Sequence, residues 1–193
     1  MKLVCIGDSL TSGFGVFKDE RWTDIIVKNY NLNILNKGIN GDTTAGMLSR
    51  FFEDVISMKP SHVIIMGGCN DLLSNRSVKN IEINIEEMIR DALENNIIPI
   101  IATEIPIIEN MAKRKWSQDA DYSYVKESSL LYREWILTFS NYNNILCLDF
   151  YKLFEEKLKT LTARDLYVDG LHPTALGHKF MAEEAVQIIF ECS

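Results

Sequence analysis

The chain has 193 residues, 47% of them hydrophobic, and its 27 acidic against 20 basic side chains give a formal charge of -7. That length supports one domain with a sizeable core and leaves too little for two, so residues 1–193 are expected to form a single domain. No basic stripe is available to neutralise a phosphate backbone, which excludes nucleic acid as an expected partner; the densest basic cluster, Lys113-Arg114-Lys115, suits a solvated loop.

Short apolar runs alternate with helical periodicity from the first residues onward. Leu3 to Ile6 predicts a strand and Arg21 to Tyr30 a helix; Asn33 to Leu35 predicts the second strand. Between Thr43 and Met58, Met47, Leu48, Phe51, Phe52, Val55 and Ile56 recur in pairs four apart, the stripe of a helix packed on a core. His62 to Met66 predicts a third strand, followed by a helix over Val78 to Leu93 with Ile81, Ile85, Met88, Ile89 and Ala92 on one face. Ile97 to Ala102 and Ile145 to Leu148 predict two further strands. Pro173 and Thr174 open a last helix carrying Leu176, Phe180, Met181, Ala185, Ile188 and Ile189.

Strands that are apolar at successive positions, separated by amphipathic helices, imply a parallel sheet covered on both faces: a three-layer α/β/α sandwich. No apolar run approaches the roughly 18 residues of a membrane span. Even Ile97 to Ile108 is broken by Pro99, Thr103, Glu104 and Pro106. Met1-Lys2 runs directly into Leu3-Val4-Cys5-Ile6 without the features of a secretory leader, so a soluble cytoplasmic or already mature protein is expected. Cys5, Cys69, Cys147 and Cys192 form no C-x-x-C pair, and reduced thiols are the expectation.

Four polar islands follow the apolar runs: Gly7-Asp8-Ser9-Leu10, Gly38-Ile39-Asn40-Gly41-Asp42, Gly67-Gly68-Cys69-Asn70-Asp71 and Asp169-Gly170-Leu171-His172-Pro173. In open parallel sheets, ligands bind beyond the carboxyl ends of the strands, where the first three islands lie. Together they hold a hydroxyl, an imidazole, a carboxylate and potential oxyanion donors, the set needed for serine-dependent acyl transfer. Asp169 precedes His172 by three residues, so one turn can present both, leaving the second imidazole nitrogen for Ser9. Backbone N–H groups of Ser9 and Gly41, with the Asn70 amide, are candidate donors to the oxyanion.

Each of these residues also has a simpler role open to it. Ser9 suits a helix N-cap, Gly41 and Asn70 suit turns, and Asp169 with His172 suits a salt-linked turn capped by Pro173. Asp8 is expected to support a turn, Asp165 is a weaker partner for the imidazole, and His62 and His178 are expected to be structural. Asp42 and the following threonines suit a helix start. Cys69 is expected to pack, because its only apparent base is the one assigned to Ser9. No G-x-S-x-G elbow is present.

The four islands, in this order and across nearly the whole chain, resemble the SGNH hydrolases, also called the GDSL esterase/lipase family. The resemblance implies Ser9 as nucleophile, His172 as base, Asp169 as its partner, and Ser9, Gly41 and Asn70 as oxyanion donors. It also implies a flavodoxin-like sandwich with five parallel strands in the order 2-1-3-4-5. Gly41-Asp42-Thr43-Thr44 looks most like the small bacterial thioesterase/lysophospholipase and arylesterase branch; Cys69 departs from the small residue usual there. The implied activity is hydrolysis of a carboxylic ester, thioester or lysophospholipid through an acyl-enzyme, with no metal or organic cofactor. Alternatives are a carbohydrate O-acetylesterase of the same family and a ligand-binding module without catalysis. Glu104 to Lys126, too long and polar for a minimal connection, is expected to be a surface loop or a wall of the substrate pocket.

Overall fold

A computed structural model describes residues 1–116, 118 and 120–191. Strands β1 (Lys2–Gly7), β2 (Asn33–Gly38), β3 (His62–Met66), β4 (Ile98–Ala102) and β5 (Leu146–Leu148) are all parallel and ordered β2-β1-β3-β4-β5, the expected topology. Gly7, at the end of β1, pairs with Gly38 on one side and Met66 on the other. The chain segments leaving β1, β2 and β3 therefore emerge side by side at one rim.

The helices are α1 (Ser9–Ser12), α2 (Trp22–Tyr30), α3 (Thr44–Asp54), α4 (Cys69–Leu73), α5 (Val78–Glu94), α6 (Glu109–Lys115), α7 (Tyr122–Asn143), α8 (Phe150–Lys157), α9 (Ala163–Leu166) and α10 (Ala175–Glu191). Alternate strand residues point to opposite faces. Leu3, Cys5, Ile64 and Met66 meet Trp22 and Ile26 of α2, Phe150 and Phe154 of α8, and Met181 and Ala185 of α10. Val4, Ile6, Val63 and Ile65 meet Met47 and Phe51 of α3, Ile81 and Ile85 of α5, and Tyr132 and Ile136 of α7. Burying an isoleucine contributes about 1.5–3 kcal/mol, whereas its lower helix propensity costs under about 0.7 kcal/mol. The core face of α5 thus forms despite its β-branched residues.

Several expectations need correction. Phe52 is 69% exposed, because α3 turns only one edge of the apolar stripe inward and ends at Asp54 before a short 3-10 turn, Ile56–Met58. Leu176 also lies outward at 37% exposure. Lys113, Arg114 and Lys115 are exposed but helical, forming the last turn of α6, where positive charge complements the helix dipole. The connection after β4 is not a plain loop: it contains α6 and runs into α7. The 22-residue helix α7 was not anticipated; its buried face includes Ser128 and Ser140, which interrupt the apolar periodicity. Cys5, Cys69 and Cys147 are unpaired thiols, while Cys192 lies outside the described residues.

Candidate active site

Ser9 follows β1 as the first residue of α1, whose short turn places its side chain at the rim. Asp8 caps this turn, its Oδ1 accepting from the Leu10 N–H at 2.9 Å. At the opposite edge, the turn from Val168 to His172 closes through Val168 N–H donating to His172 O at 2.9 Å and a bridge between Tyr167 and Pro173. Asp169 Oδ1 accepts from the N–H groups of both Leu171 and His172 at 2.9 Å, which fixes the carboxylate. Its Oδ2 lies 2.8 Å from His172 Nδ1, and His172 Nε2 lies 2.9 Å from Ser9 Oγ. With Nδ1–H donating to Asp169, the neutral imidazole offers its Nε2 lone pair to the Ser9 hydroxyl.

Burial opposes ionisation of Asp169, but the His172 side chain and the two backbone donors outweigh it and hold the carboxyl well below the usual range. The other histidines are elsewhere. His178 is buried beside Trp22, whose N–H reaches Nδ1 at 3.4 Å, and burial pushes it down to about 3. His62 pairs through Nδ1 with Ser61 Oγ at 2.9 Å on β3. Asp165 accepts from Thr162 at the start of α9 and has no contact with His172 among its described bonds.

Gly41 and Asn70 join Ser9 on the same cleft. Gly41 has φ +76, a conformation that disfavours other residues, and an added Cβ would meet nothing within 4 Å, so its backbone is open to a ligand. Arg50 secures this loop by donating to Asp42 Oδ2 at 2.8 Å and to Gly7 O at 3.0 Å. Thr43 caps α3, while Asp71 accepts from Thr44 N–H at 2.8 Å and joins that helix start to α4. The Asn70 amide nitrogen donates to Asp42 O at 2.9 Å and to Asp8 Oδ2 at 3.1 Å. Both hydrogens of that nitrogen are therefore engaged in the free protein.

The cleft encloses about 280 Å³. Its walls include Phe14, Leu73, Ile105, Ile107, Trp116 and Leu171. The Phe14 and Trp116 rings lie 4.5 and 5.2 Å from the His172 ring, centroid to centroid, and 5.7 Å from each other. Phe14 was missed from the sequence, where its only signal is an aromatic side chain soon after Ser9. Trp116, from the connection expected to be a surface loop or a wall of the pocket, lines the cleft with Glu104, Ile105 and Ile107. Cys69 also reaches it, but burial, followed by the charges of Glu104, Asp8 and Asp71, pushes its thiol well above the usual range. That thiol is a poor nucleophile.

The five parallel strands, covered by helices and gathering Ser9, Gly41, Asn70, Asp169 and His172 toward one cleft, define an α/β/α sandwich with a polar rim site. The chain belongs to the GDSL-like Lipase/Acylhydrolase family, whose model matches residues 5–180. Among its relatives, lipoprotein YqeF of Bacillus subtilis (strain 168) is 36% identical over 124 residues, covering 58% of this chain and 51% of that protein. Acetylxylan esterase of Geobacillus stearothermophilus is 26% identical over 153 residues, covering 78% of this chain and 69% of that protein. A G-D-S-L family structure from Desulfitobacterium hafniense DCB-2 superposes with a TM-score of 0.82 at 28% identity, covering 97% of this chain and 98% of that one. The match thus spans about half of the Bacillus lipoprotein. Among the described residues, no helix is long and apolar enough to cross a membrane.

Proposed function

We propose that this chain, as one domain over residues 1–193, hydrolyses small carboxylic esters through an acyl-enzyme on Ser9. The observation that carries the assignment is the unbroken series from Ser9 Oγ to His172 Nε2 at 2.9 Å and from His172 Nδ1 to Asp169 Oδ2 at 2.8 Å. His172 takes the Ser9 proton as Oγ attacks the carbonyl carbon, and Asp169 steadies the resulting imidazolium. The oxyanion is received by the Ser9 and Gly41 N–H groups and by one Asn70 amide hydrogen. His172 then protonates the departing alcohol. Water, deprotonated by the same nitrogen, attacks the acyl-enzyme and releases the acid and Ser9.

The cleft volume of about 280 Å³ favours a compact substrate, and its apolar walls suit a short acyl chain. Esters, thioesters and lysophospholipids share the carbonyl chemistry. A carbohydrate O-acetylesterase is the second assignment, supported by the likeness to an acetylxylan esterase and by the small cleft. A cytoplasmic location belongs to the proposal, supported by the unpaired Cys5, Cys69 and Cys147, and cell fractionation tests it against a membrane-anchored form like the Bacillus relative.

A fluorophosphonate tests the chemistry directly. It is expected to label Ser9 and abolish turnover of p-nitrophenyl acetate, while folded Ser9→Ala is neither labelled nor active. Labelling at another residue, or turnover by Ser9→Ala, rejects the nucleophile. A panel of acyl-chain lengths set beside acetylated xylooligosaccharides separates the two substrate assignments.

A further inference from the structure

Asp8 and Glu104 meet beside Asn70, and the proton transfers described above use neither. Asp8 is 1% exposed; its Oδ1 accepts from Leu10 N–H and its Oδ2 from Asn70. Glu104 follows β4, where the catalytic cleft adjoins an inner cavity of about 20 Å³, room for about one water. Its carboxyl is hydrogen-bonded to Asp8 and supported by the Cys69 backbone, while Oε1 is buried without a protein partner.

Two touching carboxyls in a buried site do not both ionise, and the hydrogen bond between them requires a retained proton. Asp8 accepts from an N–H donor on each oxygen while Glu104 Oε1 has no protein partner, which leaves the negative charge on Asp8 and the proton on Glu104; burial raises both carboxyls, Glu104 further. Asp71, Cys69 and Tyr132 face this pair from α4 and α7, while Asp42 and His172 act on Asp8 from the cleft side. Arg76 acts on Asp71, and Arg133, which lines the inner cavity, is committed to Asp149 at 2.6 Å.

We propose that Glu104 is a positioning residue for Asn70, acting through Asp8 as a neutral hydrogen-bond donor. Asp42 O and Asp8 Oδ2 together set where the Asn70 nitrogen points, and the bond to Asp8 is the longer of the two. A proton donated by Glu104 holds the Asp8 carboxylate in place and draws electron density from it. Asp8 then competes less with a developing oxyanion for the shared Asn70 hydrogen. A second charge at Glu104 would repel both Asp8 and the oxyanion.

This proposal rests on the acyl-enzyme assignment, and one set of variants distinguishes the two. With p-nitrophenyl acetate, E104L is expected to lose about 10- to 100-fold in kcat, less than loss of the donor itself, with KM changed under about threefold. E104Q keeps an N–H for Asp8 and is expected to restore most of kcat. Wild-type kcat is expected to fall on the alkaline side as Glu104 ionises, and E104Q to lack that decline. Equal impairment of E104Q and E104L, wild-type kcat in E104L, or an unchanged alkaline limb in E104Q overturns the proposal. If E104L does not fold, the E104Q pH profile decides alone. Failure of fluorophosphonate to label Ser9 in the wild type would instead overturn the acyl-enzyme assignment.

Discussion

His172 Nε2 lies 2.9 Å from Ser9 Oγ across a separation of 163 positions in the chain. The two residues come from opposite ends of the sequence, one leaving the first strand and one entering the last helix. Their contact therefore depends on both segments reaching the same rim. The turn bearing His172 is held there from the start of α6, since Ile108, the residue before that helix, donates its N–H to Gly170 O at 2.8 Å.

Gly170 is where that support is most sensitive. Its φ is +95, and an added Cβ would stand 2.6 Å from Ile108 O and 2.7 Å from Ala112 N. Gly170→Ala is expected to cost at least about 2 kcal/mol, about 4–8 °C in Tm for a chain of this size, and to lower kcat by shifting Asp169 and His172. Gly41→Ala has no such clash, so it carries only the strain of its φ of +76 and is expected to lower Tm less than Gly170→Ala while still lowering kcat. Thermal melts and kinetics of the two variants check the contrast.

Asn70→Ala is expected to lower kcat by about 10²–10³-fold with a smaller change in KM, because an oxyanion donor acts chiefly in the transition state. An effect mainly on KM would make Asn70 a substrate-positioning group.

Asp169→Asn is expected to lower kcat by about 10³–10⁴-fold, because an amide hydrogen facing Nδ1 favours the wrong imidazole tautomer. The same carboxyl governs acid stability. Its folded pKa lies below the ordinary value of about 3.9, so its contribution is present above that value and is lost as pH falls through the folded pKa. Wild-type Tm is therefore expected to fall more steeply than that of Asp169→Asn as pH drops below about 5. Parallel melts across the acid range test the sign.

Trp116 tests the cleft wall directly. Trp116 is 50% exposed, so Trp116→Ala is expected to fold normally. Loss of its ring contact should weaken kcat/KM for longer or aromatic acyl groups by about 2- to 10-fold relative to acetyl, with fluorophosphonate labelling of Ser9 retained. An unchanged chain-length ranking would remove Trp116 from the substrate wall.

The layers of the fold and the residue types at its rim are legible in the sequence. Leu3 to Ile6 and Val63 to Met66 are apolar at every position because both faces of the sheet are covered. The short spacing from Asp169 to His172 lets backbone geometry alone bring carboxylate and imidazole together. Patterns of this kind record which face of an element is apolar, but not how far a stripe extends or which distant side chains meet. Phe52 consequently points outward, and α7 buries Ser128 and Ser140 against a pattern that reads poorly as a helix. The meeting of Phe14 and Trp116 around His172, and of Asp8 with Glu104, was decided only by the tertiary structure. Asp8 and Phe14 lie close to Ser9 in the chain, but Glu104 and Trp116 reach them only because the strand order β2-β1-β3-β4-β5 brings the ends of β1 and β4 to one rim.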